Sequence, residues 1–490
     1  MSAAQMASSD AASADAETPP VAGLFCSREE RAYWEHALTE ALQEVRQRVG
    51  DGRVAPAVTA DVFRGRLAEY DFQNRRSLSD TIPWVIEQMT QGIVQVTHPR
   101  YFGLFNPAPS LPSELAERIS AAFNPQLATS TTSPAAIEIE RHVIRSIAER
   151  VGLPAESAGH FATGGSEANF TALICALTRA NAAFVDRGIM AFGGTPSFYV
   201  SEDAHLAWYK IAVQCGIGHA GVRPVPTDMS GRMDPTALSA LIEDDKRLGF
   251  IPVMIAATAG TTGAGMIDPL HACAEIAISF RLWYHVDAAW GGAVIASQKM
   301  RGMLAGLERA DSVTIDAHKW LATTMACSIF ITRDSRVLKN AFFVDSYFMP
   351  PSDQEIDPHL TTVQWSRRFI GLRLFLSLAT VGWQGHGDHV ERSVALADLL
   401  ARNLVARGWE VTNGSQLAVV CAIPPKGFPA VRDIARAVVA SGKAWISSSK
   451  FKGRDVLRIC MTNGHSMPSD VIMLAELLDG HRLSQGDEAA

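Results

Sequence analysis

The chain has 490 residues, 47% of them apolar and 19% charged, with 44 Lys and Arg against 51 Asp and Glu for a formal net charge of −7. That length exceeds one small domain and sets an expectation of about two to four. The acidic balance leaves no broad basic field to meet nucleic acid or an anionic membrane, and no apolar run reaches the roughly 18 residues of a spanning helix.

Residues 1–23 are rich in Ala, Ser and acidic side chains. They lack the basic start and apolar stretch of a signal peptide, and they cannot bury enough surface to offset ordering, so a disordered tail is expected. Over 24–105 the pattern is helical with breaks. Trp34, Leu38, Leu42 and Val45 recur at helical steps and predict a helix from about Leu24 to Gly50. From 106 to 384 helix-length stretches alternate with short β-rich runs, the signature of an α/β large domain with a mostly parallel sheet. A helix is expected from about Ser166 to Phe184. The clearest strands are Phe198–Val200, Ile251–Thr258, Leu282–Val286, Ser312–Ile315 and Ser328–Thr332. Asp234 and Pro235 suit the cap and first turn of the helix that follows them.

Residues 385–490 read as a smaller α+β domain. A long helix containing VALADLLARNLVARG leads to the strand-like QLAVVCAIP, a helix around Val431–Ala440, a strand around Val456–Met461 and a final helix. The seven cysteines are scattered, odd in number and form no CxxC pair. Neither metal nor disulfide is expected from them, and a reducing cytoplasm fits best.

Two segments carry the chemistry. His285-Val286-Asp287-Ala288-Ala289-Trp290 and Asp316-Ala317-His318-Lys319-Trp320 each follow or contain a β-rich run. Their polar residues therefore lie near strand ends, where open α/β sheets bind ligands. A carboxylate in an apolar strand needs a partner, because an isolated buried charge is costly. Alone, an Asp or a Lys at a strand end reads as a salt-bridge or surface residue. Together they match pyridoxal 5′-phosphate (PLP) chemistry, with a lysine Schiff base to the cofactor aldehyde and an aspartate at the protonated pyridine nitrogen. Ala289, two positions after Asp287, would share its strand face and let the ring lie flat.

The pairing resembles the group II PLP-dependent amino-acid decarboxylases, which include the aromatic-L-amino-acid, histidine and glutamate enzymes. His98-Pro99-Arg100-Tyr101-Phe102-Gly103 looks like the family's N-terminal active-site stretch, and Thr132-Ser133-Pro134-Ala135 like its substrate-side turn. The resemblance implies a fold-type I, aspartate-aminotransferase-like architecture and a homodimer with shared active sites. It makes Lys319 the Schiff-base lysine, Asp287 the pyridine partner and Ala289 a ring-face contact. Gly164, Gly165 and Ser166 become the phosphate loop at a helix start, with His318 completing the phosphate site. His205 becomes the residue stacked on the ring, and Thr258 the contact on its phenolic-oxygen side. Gly260, Gly263 and Gly265 read more simply as loop formers. Phe105 and Asn106 fall in the substrate region, and Arg100 either meets an acidic side chain or is solvated.

One departure stands out. The family's loop tyrosine, which protonates the substrate Cα, falls on Pro358; Tyr347, the only tyrosine nearby, is the catalytic candidate to take its place, with His205 as the alternative. The implied reaction is release of CO₂ from the α-carboxylate of an L-amino acid. Open beside it are decarboxylation coupled to oxidative deamination, which gives an aldehyde, transamination on the same fold, and a non-catalytic dimeric relative.

Overall fold

A computed structural model describes residues 24–56, 58–345, 347 and 357–482, so the tail expected over 1–23 lies outside the described residues. The chain divides into two compact units, with the change after Val94. The first contains helices α1 (Arg28–Val49), α2 (Ala60–Leu67) and α3 (Leu78–Gly92). Ser27 caps α1 by accepting from Glu30 N at 3.1 Å, and Glu29 and Glu30 in its first turn complement the helix dipole. The helical run expected to reach 105 ends at Gly92, and Phe102 and Phe105 are buried in the core of the second unit.

The second unit opens with α4 (Leu111–Phe123) and α5 (Pro134–Val151), then builds a seven-stranded sheet. Its strands are β1 (Ala158–Ala162), β2 (Pro196–Ser201), β3 (Val222–Val225), β4 (Ile251–Thr258), β5 (Trp283–Asp287), β6 (Ser312–Asp316) and β7 (Ser328–Thr332), in the order β1-β7-β6-β5-β4-β2-β3. Only β7 runs against its neighbours; the pairs joining β3, β2, β4, β5 and β6 are parallel. Strands β4 to β7 bury nearly every residue on both faces, as a sheet covered on each side by helices requires. Helix α6 (Gly165–Ala180) follows β1 and contributes a largely buried face of Ala, Leu and Cys. Asp234 caps the helix Pro235–Arg247, its Oδ1 accepting from Thr236 N and Ala237 N.

Helix Leu372–Ala406 leads toward the C-terminal part and breaks at Gly382, whose φ of 64° and ψ of 177° are not helical. Beyond it β8 (Glu410–Val411), β9 (Val419–Ile423), β10 (Ser447–Phe451) and β11 (Arg454–Cys460) form an antiparallel sheet in the order β10-β11-β9-β8. No single helix among the described residues is long and apolar enough to cross a membrane, and all seven cysteines are free.

The stretch 98–106 is strapped onto this small sheet. Phe102 N donates to Trp445 O at 2.9 Å, Trp445 N to Arg100 O at 3.1 Å and Cys460 N to Phe102 O at 2.9 Å. Arg100 remains partly exposed, and its Nε lies 3.2 Å from Asp470 Oδ1. Gly103 passes so close to Trp445 that a Cβ would sit 2.0 Å from the indole ring. Gly103→Ala must therefore push the strap off Trp445. We expect a loss of about 1–3 kcal/mol, read as a lower Tm in thermal unfolding, because overpacking a filled core costs that much.

Candidate active site

Strands β1, β2, β4, β5 and β6 point the same way, so their C-terminal ends share one edge of the sheet. There the chain leaves β1 into Gly165 and Ser166 at the start of α6 and leaves β2 toward His205. Strands β4, β5 and β6 end on Thr258, Asp287 and Asp316. Lys319 follows in a tight turn, its N–H donating to Asp316 O at 3.1 Å. These residues line one open cavity with about 520 Å³ of space, joined by Phe105, Asn169, Thr262, Ala289 and Trp290.

Asp287 opens on this cavity yet is only 5% exposed. Its Oδ2 accepts from Asn169 Nδ2 at 2.9 Å and its Oδ1 from Ala289 N at 3.1 Å. Both donors are neutral. Lys319 sets its Nζ 2.9 Å from Asp316 Oδ2 instead. Burial raises the Asp287 pKa, and the charge of Lys319 pulls it back down. A buried carboxylate so placed calls for a proton-bearing cation from a ligand.

At the other end of the cavity, Gly165 abuts Asp316: a Cβ there would lie 2.8 Å from Oδ2. Helix α6 has no side-chain cap, so its first N–H groups remain available to an anion. His205 stands on the cavity wall with Nδ1 accepting from Ala207 N at 3.1 Å, which leaves its ring proton on Nε2. Partial burial lowers its pKa and favours that neutral form. Thr258 Oγ1 is buried without a hydrogen-bond partner among the described residues. A buried acid for a ring nitrogen, an amine, an anion-ready helix start and an unspent hydroxyl together fit PLP.

The remaining wall is aromatic. Phe105 stacks on Trp290 with centroids 4.3 Å apart, and Trp290 stacks on Trp320 at 4.9 Å. The Arg458 guanidinium lies 4.4 Å over the Phe105 ring. Its Nε donates to Thr262 O at 2.7 Å and one terminal nitrogen to Gly103 O at 3.2 Å. The other terminal nitrogen, Nη2, is buried with no partner among the described residues.

Several expected site residues stand elsewhere. Strand β5 ends at Asp287, so Ala289 lies in the following turn rather than on a strand face, though it does line the cavity. Gly164 borders the neighbouring groove with Thr163 and Glu167. His318 turns inward, with Nδ1 3.1 Å from Cys327 O, and is not part of the cavity wall. Asn106 accepts from Tyr101 Oη at 3.0 Å, outside the wall that Phe105 forms. Tyr347 is 99% exposed and does not line the cavity. Gly260, expected as a loop former, has a φ of 96° and does line it. Asn169, Asp316 and Arg458 were not anticipated. Asp316 could have been found from its place three positions before Lys319; the other two look like ordinary helix and strand residues.

Residues 66–422 match the pyridoxal-dependent decarboxylase conserved domain. An acidic amino acid decarboxylase of Xenopus tropicalis is 33% identical over 340 residues, which cover 68% of this chain and 66% of that protein. The chain thus spans just under two thirds of that relative. The cysteine sulfinic acid decarboxylase of Mus musculus is 33% identical over 342 residues, covering 68% of this chain and 69% of that protein. The crystal structure of Oryza sativa TDC with PLP and tryptamine aligns at a TM-score of 0.88 over 95% of this chain and 99% of that one; its 24% identity speaks for the fold alone. The match over well more than half of the chain is decisive: this chain belongs to the pyridoxal-dependent decarboxylase family, whose cofactor is PLP.

Proposed function

We propose that the protein releases CO₂ from the α-carboxylate of an L-amino acid. The observation that carries this reading is the buried Asp287 carboxylate opening with the Lys319 amine on one cavity, within a decarboxylase domain. Bound PLP supplies an electron sink conjugated to the substrate Cα. Lys319 would hold the cofactor aldehyde covalently, Asp287 would keep its ring nitrogen protonated, and Gly165 and Ser166 at the start of α6 would receive its phosphate. Borohydride reduction and peptide mapping of the holoenzyme should place the pyridoxyl label on Lys319, and Lys319→Ala should abolish it. A label on another lysine overturns the assignment.

Arg458 receives a substrate carboxylate. Its guanidinium packs over Phe105 of the cavity wall, and Nη2 makes no hydrogen bond among the described residues, which leaves a charged donor for a carboxylate. The relatives named for acidic amino acid and cysteine sulfinic acid substrates accord with such a site. Arg458→Met keeps the packing on Phe105 and removes the charge. It should raise KM by about 10- to 100-fold, the worth of one charged hydrogen bond. An unchanged KM would move the carboxylate to another group.

The product is an amine. A proton from solvent takes the place of CO₂ at Cα on the side of the cavity that His205 lines, whereas Tyr347 stands exposed and outside the wall. The second reading, an aldehyde with ammonia and peroxide formed at the expense of O₂, is favoured by Pro358 at the tyrosine position. Amine, aldehyde and peroxide should be quantified with and without oxygen. Amine equal to CO₂ in both conditions is expected; aldehyde and peroxide in step with CO₂ would establish the oxidative outcome.

The working form is a homodimer. Leu111, Leu115, Ile119 and Phe123 recur every four residues along α4 and all are exposed, a stripe that a second copy would cover. The free thiols suit a reducing cytoplasm.

A further inference from the structure

Behind Asp287 runs a line of buried side chains that the chemistry above does not use. Asn169 Nδ2 donates to Asp287 Oδ2 at 2.9 Å. Asn169 Oδ1 lies 3.0 Å from His285 Nε2, and His285 Nδ1 lies 2.8 Å from Ser312 Oγ. Trp283 Nε1 donates to the same Ser312 Oγ at 2.8 Å. All five residues are buried. The fold places them without strain. His285 sits opposite Ser312 across the β5–β6 pair, Asp287 lies two positions on along the same face of β5, and α6 lays Asn169 across both.

The direction of every proton in this line follows from its two ends. An indole N–H can only donate and an ionised carboxylate can only accept. Asp287 therefore fixes the Asn169 amide with its NH₂ toward the carboxylate and its oxygen toward His285. That oxygen requires a proton on His285 Nε2, which makes Nδ1 the acceptor. Ser312, taking the Trp283 proton, passes its own to Nδ1. The hydrogens thus all point toward Asp287, and aligned hydrogen bonds polarise one another in a dry interior. Burial holds the His285 pKa at about 3, so the ring stays neutral and the line carries dipoles without a second charge.

We propose that Trp283, Ser312, His285 and Asn169 form a polarising relay that keeps Asp287 ionised and aimed at the cofactor's ring nitrogen. The relay rests on the reading of Asp287 as that nitrogen's partner. Burial drives Asp287 toward the neutral acid, which could not hold a protonated ring nitrogen; the charge of Lys319 opposes this most, and the hydrogen bonds from Ala289 and Asn169 oppose it next. The relay adds to that stabilisation through neutral groups. Its four members are positioning residues, since none but Asn169 borders the cavity.

The test uses holoenzyme reconstituted with PLP labelled with ¹⁵N in the ring, read by NMR across pH. The wild-type ring nitrogen should be protonated. Asn169→Ala should weaken its proton affinity about tenfold, the worth of a lost hydrogen bond to a charged group. Ser312→Ala should weaken it about twofold, the share that travels by cooperativity. Ser312→Ala deletes one hydroxyl at nearly constant volume, so it carries the test if Asn169→Ala folds poorly. Variants that lose thermal stability while the ¹⁵N signal stays at its wild-type position would reduce these residues to packing and overturn the relay. Asp287→Ala separates the two readings. If it moves the signal and the relay variants do not, only the relay falls; if it leaves the signal in place, the assignment of Asp287 falls with it.

Discussion

The site is organised around the cost of keeping one carboxylate charged in a dry place. Asp287 ends a strand with no exposed residue, where desolvation favours its neutral form. What opposes that shift is the charge of Lys319 together with hydrogen bonds from buried donors, and these groups arrive from different parts of the chain. Asn169 comes from the helix after β1, Ala289 from the turn after β5. The parallel sheet makes this possible because its strand ends converge on one edge. The same edge receives the start of α6, so a region suited to an anion faces a region suited to a cation across a single cavity.

Lys319 illustrates how closely the charges are apportioned. Its amine leans on Asp316, which also accepts from Ser328 Oγ at 2.6 Å. Asp316 thereby holds the lysine near the strand ends, leaving Asp287 with neutral donors and an open side. Two aspartates on adjacent strand ends play different parts because their neighbours differ: one faces an amine, the other an amide and a peptide N–H.

Much of this was legible in the sequence where burial and periodicity agree. The strand Ile251–Thr258 was read with its exact limits, as was Ser328–Thr332, because each is a short apolar run bounded by turn residues. Strands β1 and β3 escaped notice for local reasons. The first, AGHFA, lacks β-branched residues, and the second carries Pro224, tolerated because β3 is at the sheet edge. Lys319 and Asp287 were readable because a charged residue beside an apolar strand demands a reason. Asn169 and Arg458 were not: a polar residue on a helix and an arginine in LRIC carry no such demand until folding places one beside His285 and the other over Phe105. His318 stands beside the cavity residue Lys319, with Nδ1 3.1 Å from Cys327 O and Nε2 3.9 Å from Asp316 Oδ2.

The strap over 98–106 has a further consequence for how the site comes into being. Its hydrogen bonds run to Trp445 and Cys460, and the guanidinium that overlies Phe105 belongs to β11. On a ribosome, the strands bearing Thr258 and Asp287 and the turn bearing Lys319 emerge long before these partners. A nascent chain can therefore assemble the cofactor side while the opposite wall is still unmade. The cavity becomes complete only when the second sheet closes back onto a segment that precedes the first, so its competence reports that synthesis has passed β11.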